Sequence, residues 1–171
     1  MKQVKLTDTY HALLAMLATR PMEDVSITAL CRKAHVSRTY FYREFGTFDA
    51  IIKKFQTQQM LQYLRSLPNS GRPNLATLMA KYFQLAKNGV ENQQLLLKAG
   101  FYTTLVDTFA TVFTLLIKNS LVPGKPAIVS APYYIDFLSG AVVNMAVAWM
   151  AAGMPDSPER MGERVAKFLQ R

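Results

Sequence analysis

The stretch VSRTYFYREF, residues 36–45, places hydroxyl, guanidinium and aromatic side chains at helical spacing. If each residue turns by about 100° along a helix, Phe41 and Phe45 share one side, and Thr39 and Arg43 lie opposite them. The two flanks of this helix are then formed by Arg38 with Tyr42 and by Tyr40 with Glu44. A guanidinium donates two hydrogen bonds to a guanine edge, and hydroxyls donate to phosphate oxygens. The chemistry that this pattern favours is therefore hydrogen bonding to a polyanion.

Other reactive side chains do not form a catalytic or metal-binding set. Tyr42 has no acid–base cluster near it in sequence that would make it a catalytic phenol. His11 and His35 lack cysteine or histidine partners at ligand spacing. Cys31 stands alone, which excludes an internal disulfide, fits a reducing cytoplasm and suits a small core residue. We therefore predict no catalytic residues, no metal site and no cofactor, and we do not expect an enzyme.

Charge and hydropathy limit the class of partner. The chain has 171 residues and a net charge of +9, with 50% hydrophobic and 18% charged residues. A core is easily built from this composition, and wholesale disorder is not expected. The basic balance favours an acidic partner, either nucleic acid or an anionic membrane.

Hydrophobic periodicity indicates an all-α chain of about nine helices. Ser26, Ser37 and Thr47 are good N-caps for three successive helices, and the sequence AHVS forms a tight turn between the first two. A short capped helix, a turn and a second helix with an exposed polar ridge have helix-turn-helix geometry. In that geometry the second helix enters the major groove, and Thr39 and Arg43 face the base edges. After a turn-rich break at 67–74 and another at 121–126, further helices are predicted near 75–88, 91–98, 100–121, 131–152 and 158–170.

Two apolar stretches have nearly the length of a membrane span. Residues 137–154 carry no charge, and residues 99–117 are interrupted only by Asp107. Asp107, Asn144 and several threonines are costly in hydrocarbon, so we expect core or interface helices and no membrane partner. The sequence MKQVKLTDTY has no apolar region of the signal-peptide type, which predicts a cytoplasmic location.

Residues 26–52, SITALCRKAHVSRTYFYREFGTFDAII, resemble the DNA-binding signature of the TetR family of bacterial transcriptional regulators. The resemblance rests on the serine cap, the Val36–Ser37 pair, the Phe41–Tyr42 pair, Phe45 and the Asp49-containing start of the next helix. The ending from residue 137, with its Gly, Trp, Gly and Ser-Pro-Glu, is similar to that of smaller members with a short C-terminal domain. The resemblance implies a DNA-binding domain at 1–55, a linking helix at about 47–67, and an effector-binding and dimerisation domain at 56–171.

From this geometry and the resemblance we expect one set of residues to bind double-stranded DNA. They are Ser26, Thr28, Ser37, Arg38, Thr39, Tyr40, Tyr42, Arg43 and Thr47. Two positions depart from the family. His35 stands in the turn where members usually have Gly, and Phe48 stands where they usually have a Lys that contacts phosphate.

The resemblance also implies a small apolar or aromatic effector and a homodimer. Such residues at helical spacing are more often plain core than pocket. The candidate pocket residues are Tyr82, Phe101, Tyr102, Asp107, Phe109, Phe113, Tyr134, Met145 and Trp149. Small residues at i+4 spacing suit either a dimer seam or internal packing. Candidate interface residues are Gly140, Asn144, Ala148, Ala152, Met161, Val165 and Phe168.

Two readings of function follow. The first is a ligand-responsive repressor that binds a pseudo-palindromic operator as a homodimer. The alternative is a helical regulator that has weak or lost DNA binding and acts through protein–protein contacts, as a coactivator does. His35 and Phe48 are the features that favour the alternative.

Overall fold

The computed structural model describes residues 2–66, 73–122 and 129–169. Most of the two predicted breaks, at 67–74 and 121–126, and the last residue of the helix predicted at 158–170 lie outside these ranges. Within them the chain forms α-helices and one short 3₁₀ turn, Met22–Asp24, and no strand. The all-α class is therefore confirmed. The nine α-helices of the described residues are α1 Lys2–Leu17, α2 Ile27–Lys33, α3 Arg38–Glu44, α4 Phe48–Ser66, α5 Leu75–Asn88, α6 Val90–Lys98, α7 Tyr102–Lys118, α8 Tyr134–Ala151 and α9 Pro158–Leu169.

These helices fall into two compact units. Unit 1 comprises Met1–Ser66 and Glu91–Thr108, and unit 2 comprises Leu67–Val90 and Phe109–Arg171. The units do not coincide with the division predicted at residue 55, because all of α4 packs with the N-terminal helices. That division stays a prediction about function.

The core of unit 1 forms around the apolar stripe of α1. This stripe is predicted by the i, i+4, i+7, i+8 and i+11 spacing of apolar residues, and all of its members are buried, Leu13 fully: Leu6, Tyr10, Leu13, Leu14 and Leu17. On α4, Ile51 and Ile52 are also fully buried, and the ring of Phe55 stacks on Tyr10 at 3.9 Å between centroids. Hydroxyl groups also join elements here, since Thr104 of α7 donates a hydrogen bond to the Asp49 carboxylate in the first turn of α4. These contacts fix α4 relative to α1 and to the start of α7.

Unit 2 depends on a close approach between α5 and α9. A Cβ atom on Gly162 would lie 2.3 Å from the Ala76 carbonyl oxygen and 2.6 Å from the Ala80 nitrogen, so only glycine fits there. Trp149 of α8 is buried against Phe83, with ring centroids 5.4 Å apart, and its indole N–H donates to the Asp156 carbonyl at 3.0 Å. The tryptophan thereby anchors the turn between α8 and α9.

Candidate nucleic-acid interface

The three predicted N-caps are all present. The Ser26 hydroxyl accepts a hydrogen bond from the Ala29 N–H at 3.1 Å, and Ser37 accepts from Tyr40 at 3.0 Å. Thr47 accepts from the Ala50 N–H at 3.1 Å, at the start of α4. All three capping residues are exposed. Each hydroxyl keeps its own hydrogen for a further acceptor, such as a phosphate oxygen.

The turn between α2 and α3 is tight, as the sequence AHVS predicts. His35 has a φ of +52°, in the left-handed region that favours glycine. The Val36 N–H closes the turn by donating to the Cys31 carbonyl at 3.0 Å. The His35 side chain is exposed. The turn therefore constrains the backbone conformation of this residue and not the packing of its side chain.

Helix α3 presents a polar face to solvent. Arg38, Thr39, Tyr42 and Arg43 are exposed, whereas Phe41 is fully buried. The Arg38 guanidinium lies 6.0 Å from the centre of the Tyr42 ring, at the distance of a cation–π contact. Thr28 of α2 is exposed as well. These positions agree with the predicted ridge and one of its flanks.

The other flank differs from the prediction. Tyr40 is only 8% exposed, and Phe45, predicted to be core, is half-buried. The Tyr40 ring packs edge-on against Phe45 at 5.8 Å, with the Lys5 ammonium 5.0 Å from its centre. The buried side of an amphipathic helix spans more than 100°, which is wider than a seam of two phenylalanines. Tyr40 is therefore mainly a packing residue, and its phosphate contact stays a prediction.

Glu44 connects the end of α3 to α4. Its carboxylate lies 3.1 Å from Arg43 Nε and 3.5 Å from Lys54 Nζ, and Lys54 also donates to the Glu44 carbonyl at 2.8 Å. The Glu44 side chain is 18% exposed, against 64% for Arg43 and 50% for Lys54. Sequence reasoning placed Glu44 on a flank of α3 but did not predict its contact with Lys54. The ten-residue separation between Glu44 and Lys54 crosses a turn, which helical spacing within one element does not reveal.

Phe48, which replaces the usual phosphate-binding Lys, turns inward. It is half-buried, and its ring lies 6.1 Å from that of Phe41.

The burial of Tyr40 raises the pKa of its phenol, the nearby Glu44 carboxylate raises it further, and Arg43 opposes both. Tyr40 thus stays a neutral packing group at any ordinary pH.

The predicted pocket residues are divided between the two units. In unit 2, Tyr82 contacts Phe109 edge-on at 5.0 Å, and Phe109 stacks with Phe113 at 5.9 Å. Phe83 contacts both Tyr82 and Trp149 edge-on, so the aromatic cluster extends to Trp149. Tyr134 and Met145 belong to the same unit and are half-buried. The remaining three, Phe101, Tyr102 and Asp107, belong to unit 1, and two of them, Tyr102 and Asp107, are exposed.

Comparison with known proteins decides the family. The TetR family model described as "Transcriptional regulator C-terminal region" matches residues 74–171, which is more than half of the chain. The chain belongs to the TetR family of transcriptional regulators. This family membership confirms the resemblance read from the N-terminal residues and indicates a non-enzymatic, DNA-binding regulator. It also implies a soluble cytoplasmic protein.

A solved structure has the same fold as this TetR-family chain. The crystal structure of Lin0861 from Listeria innocua superposes with a TM-score of 0.72 at 16% identity, covering 99% of this chain and 92% of that one. No curated protein matches the sequence. By length and composition, one helix of the described residues, Tyr134–Ala151, is apolar enough to cross a membrane, and 39% of it is buried within the chain.

The predicted interface of this TetR-family chain is corrected at two positions. Met161 and Val165 of α9 are 6% and 2% exposed, because they point into the core of unit 2. Neither is available to a second subunit. By contrast Asn144, Ala148 and Ala152 are exposed along one side of α8, and Gly140 is half-buried there.

Two large apolar side chains of the same unit are also exposed. Phe137 lies one turn before Gly140 on α8 and is 64% exposed, and Phe168 of α9 is 68% exposed. Sequence reasoning missed Phe137, although its i+7 spacing to Asn144 places it on the same side of the helix.

Proposed function

We propose that this TetR-family regulator is a homodimeric, ligand-responsive repressor whose α3 helices read successive major grooves of a pseudo-palindromic operator. The observation that carries the proposal is the exposed face of α3. Four side chains able to donate hydrogen bonds, Arg38, Thr39, Tyr42 and Arg43, point to solvent on a helix held by a capped turn and a fully buried Phe41.

Each residue has a role in this proposal. Thr39 and Arg43 face base edges, and Arg43 donates two hydrogen bonds to a guanine. Ser26, Thr28, Ser37 and Thr47 are exposed hydroxyls close to the starts of α2, α3 and α4, where hydroxyls and backbone N–H groups hold phosphates. Arg38 and Tyr42 extend that contact along one flank of α3.

A dimer supplies the second reading helix. Phe137, Asn144, Ala148 and Ala152 form an exposed and mostly apolar strip on α8, which suits close packing against the same strip of a second copy. Two α3 helices then meet the operator one helical turn, or a multiple of it, apart.

The effector in this proposal is a small apolar or aromatic molecule bound beside the aromatic cluster of unit 2, at Tyr82, Phe109, Phe113 and Trp149. It regulates only if it binds the DNA-competent and DNA-incompetent conformations with different affinities. Helix α7 contributes to both units, and its Thr104 bonds to Asp49 in the first turn of α4. A displacement of α7 would therefore reach the helix that follows α3.

Arg43→Ala tests the proposal directly. Sequences selected from random duplex DNA are first used to obtain a preferred site. On that site the variant is expected to lose about 1–3 kcal/mol of binding free energy and to relax the preference at the contacted base pair. The measurement is fluorescence anisotropy at fixed salt.

Arg65→Ala is the matched control. Arg65 is also an exposed arginine, but it lies about 25 Å along α4 from the start of that helix, beyond the range of unscreened charge. Equal losses in the two variants would refute the role of Arg43. If the wild-type chain fails to bind any duplex even at low salt, where phosphate attraction is strongest, the protein-contact alternative replaces this proposal.

A further inference from the structure

Unit 1 contains a groove of about 660 Å³ that the proposed function does not use. It lies along one side of α4, whose groove-lining positions 50, 54, 57 and 61 recur at helical spacing. The opposite walls come from Leu6 of α1 and from Tyr40 and Phe45 of α3. Its volume is within the range of small-molecule sites, about 300–1,000 Å³.

The walls of this groove are largely apolar. Leu6, Tyr40, Phe45 and Leu61 contribute aliphatic and aromatic surface. Phe45 and Leu61 are only half-buried, so apolar surface remains for an occupant to cover. An alkyl or aromatic group placed here gains about 25 cal/mol for each Å² of apolar area removed from water.

The charged groups of the groove favour an anion. Glu44 also lines it, but its carboxylate is balanced by Arg43 and Lys54. Lys53, a further lining residue, forms no ion pair with any residue of the described ranges. One uncompensated ammonium therefore remains at the edge of an apolar groove.

A buried hydroxyl gives a second polar feature. Thr57 lies one turn beyond Lys53 on α4 and lines the groove. Its Oγ1 atom is buried and has no hydrogen-bond partner in the part of the chain that the structure describes. Buried hydroxyls are normally paired, and an oxygen of a bound ligand would supply the missing partner.

We propose that this groove binds a small anionic amphiphile, with a carboxylate held by Lys53 and Thr57 and an apolar tail lying along Leu6, Tyr40, Phe45 and Leu61. The site is lined by residues of unit 1, whereas the aromatic cluster belongs to unit 2. Because Tyr40 belongs to the first turn of α3 and Phe45 is the residue that caps its end, the occupant contacts the proposed reading helix directly. The binding itself does not depend on whether the chain represses transcription.

Decanoate, decanol and decylamine, which share a tail and differ in charge, are suitable probes. Each is titrated into the full chain below its micellar concentration, with binding measured by calorimetry. Decanoate is expected to bind more tightly than decanol, and decylamine most weakly. Decylamine binding as tight as that of decanoate would overturn the assignment of an anionic ligand.

Lys53→Gln tests the ammonium. It is expected to weaken decanoate about 2- to 5-fold, the effect of a partly exposed ion pair, and to leave decanol unchanged. Lys87→Gln is the matched control, because it removes the same charge from an exposed position on α5 in unit 2. Equal decanoate affinity in the two variants would place the ligand elsewhere and reject this site.

Thr57→Val and Ala50→Phe test the groove itself. The valine replaces a buried, unpartnered hydroxyl with a methyl group of the same shape, so we expect a higher Tm without ligand together with weaker decanoate binding. The phenylalanine fills the groove at another lining position and should abolish binding while circular dichroism stays unchanged. If Ala50→Phe instead alters the sedimentation of the chain and not its decanoate affinity, the groove is an interface between copies and the proposal fails.

Discussion

Glu44→Gln is expected to tighten DNA binding. The Glu44 carboxylate lies 3.1 Å from Arg43 Nε and 3.5 Å from Lys54 Nζ. It therefore neutralises the arginine proposed to read bases and a lysine on the next helix. Glutamine keeps the size of the side chain and one acceptor oxygen while it removes the charge. In the variant both cations become available to phosphate.

The size of the effect follows from counterion release. Each phosphate newly neutralised by the protein steepens the plot of log affinity against log salt by about 0.9. One to two released cations therefore steepen it by about 0.9 to 1.8. Between 50 and 200 mM salt, a slope change of 0.9 corresponds to about 3.5-fold in affinity. The gain is largest at low salt, where screening of exposed groups is weakest.

The assay is fluorescence anisotropy on a duplex of arbitrary sequence at 50, 100 and 200 mM salt. Glu163→Gln is the control, since it makes the same change of net charge at an exposed position on α9. If Glu44→Gln has an unchanged slope, or binds more weakly than wild type, the carboxylate orients Arg43 for DNA and does not compete with it. That result would refute the reasoning.

Three further predictions concern assembly and stability. Ala148→Glu should leave the fold of the chain unchanged but raise the dimer dissociation constant at least about 10-fold in sedimentation, because like charges then meet across the two-fold axis. Gly162→Ala should lower Tm by about 2–12 °C, since its Cβ would lie 2.3 Å from the Ala76 carbonyl oxygen and overpacking costs about 1–3 kcal/mol, at about 2–4 °C per kcal/mol. Gly89→Ala, with its nearest atom at 3.5 Å, should change Tm little. Burial raises the pKa of the Tyr10 phenol to about 12, although a hydrogen bond with Gln56 lowers it. Above about pH 10 the unfolded chain loses this proton while the folded chain keeps it. The free energy of unfolding should therefore fall between about pH 10 and 12. A wild-type Tm profile that is flat over that range, or equally steep in Tyr10→Phe, would contradict this last prediction.

Local signals in the sequence were sufficient for the helices and their ends. The Ser26 and Ser37 caps, the left-handed residue at His35 and the buried stripe of α1 each depend on residues within a few positions of one another. The side of a helix that faces a neighbouring helix was harder to predict. Met161 and Val165 fit an outward stripe as well as an inward one until the position of α5 is known.

Tyr40 shows the same limit inside the candidate interface. Its angular position on α3 was correct, but which flank of α3 is covered depends on Lys5 and Phe45, one of them 35 residues away in sequence. The position of a residue around the helix axis predicts its neighbours on the same helix. It does not predict which other elements pack against that side. The exposed flank, with Arg38 and Tyr42, was predicted correctly because nothing packs over it within the described chain.

The two departures from the family have different physical consequences. His35 fits the turn by adopting a left-handed backbone conformation, which histidine tolerates better than most residues. Phe48 turns inward onto Phe41, so no cation replaces the missing lysine at that position. The next cation along this part of α4 that is fixed near α3 is Lys54, and it is bonded to Glu44. In the proposed function, Glu44 is therefore expected to limit phosphate binding, because its carboxylate holds the cation that would otherwise compensate for Phe48.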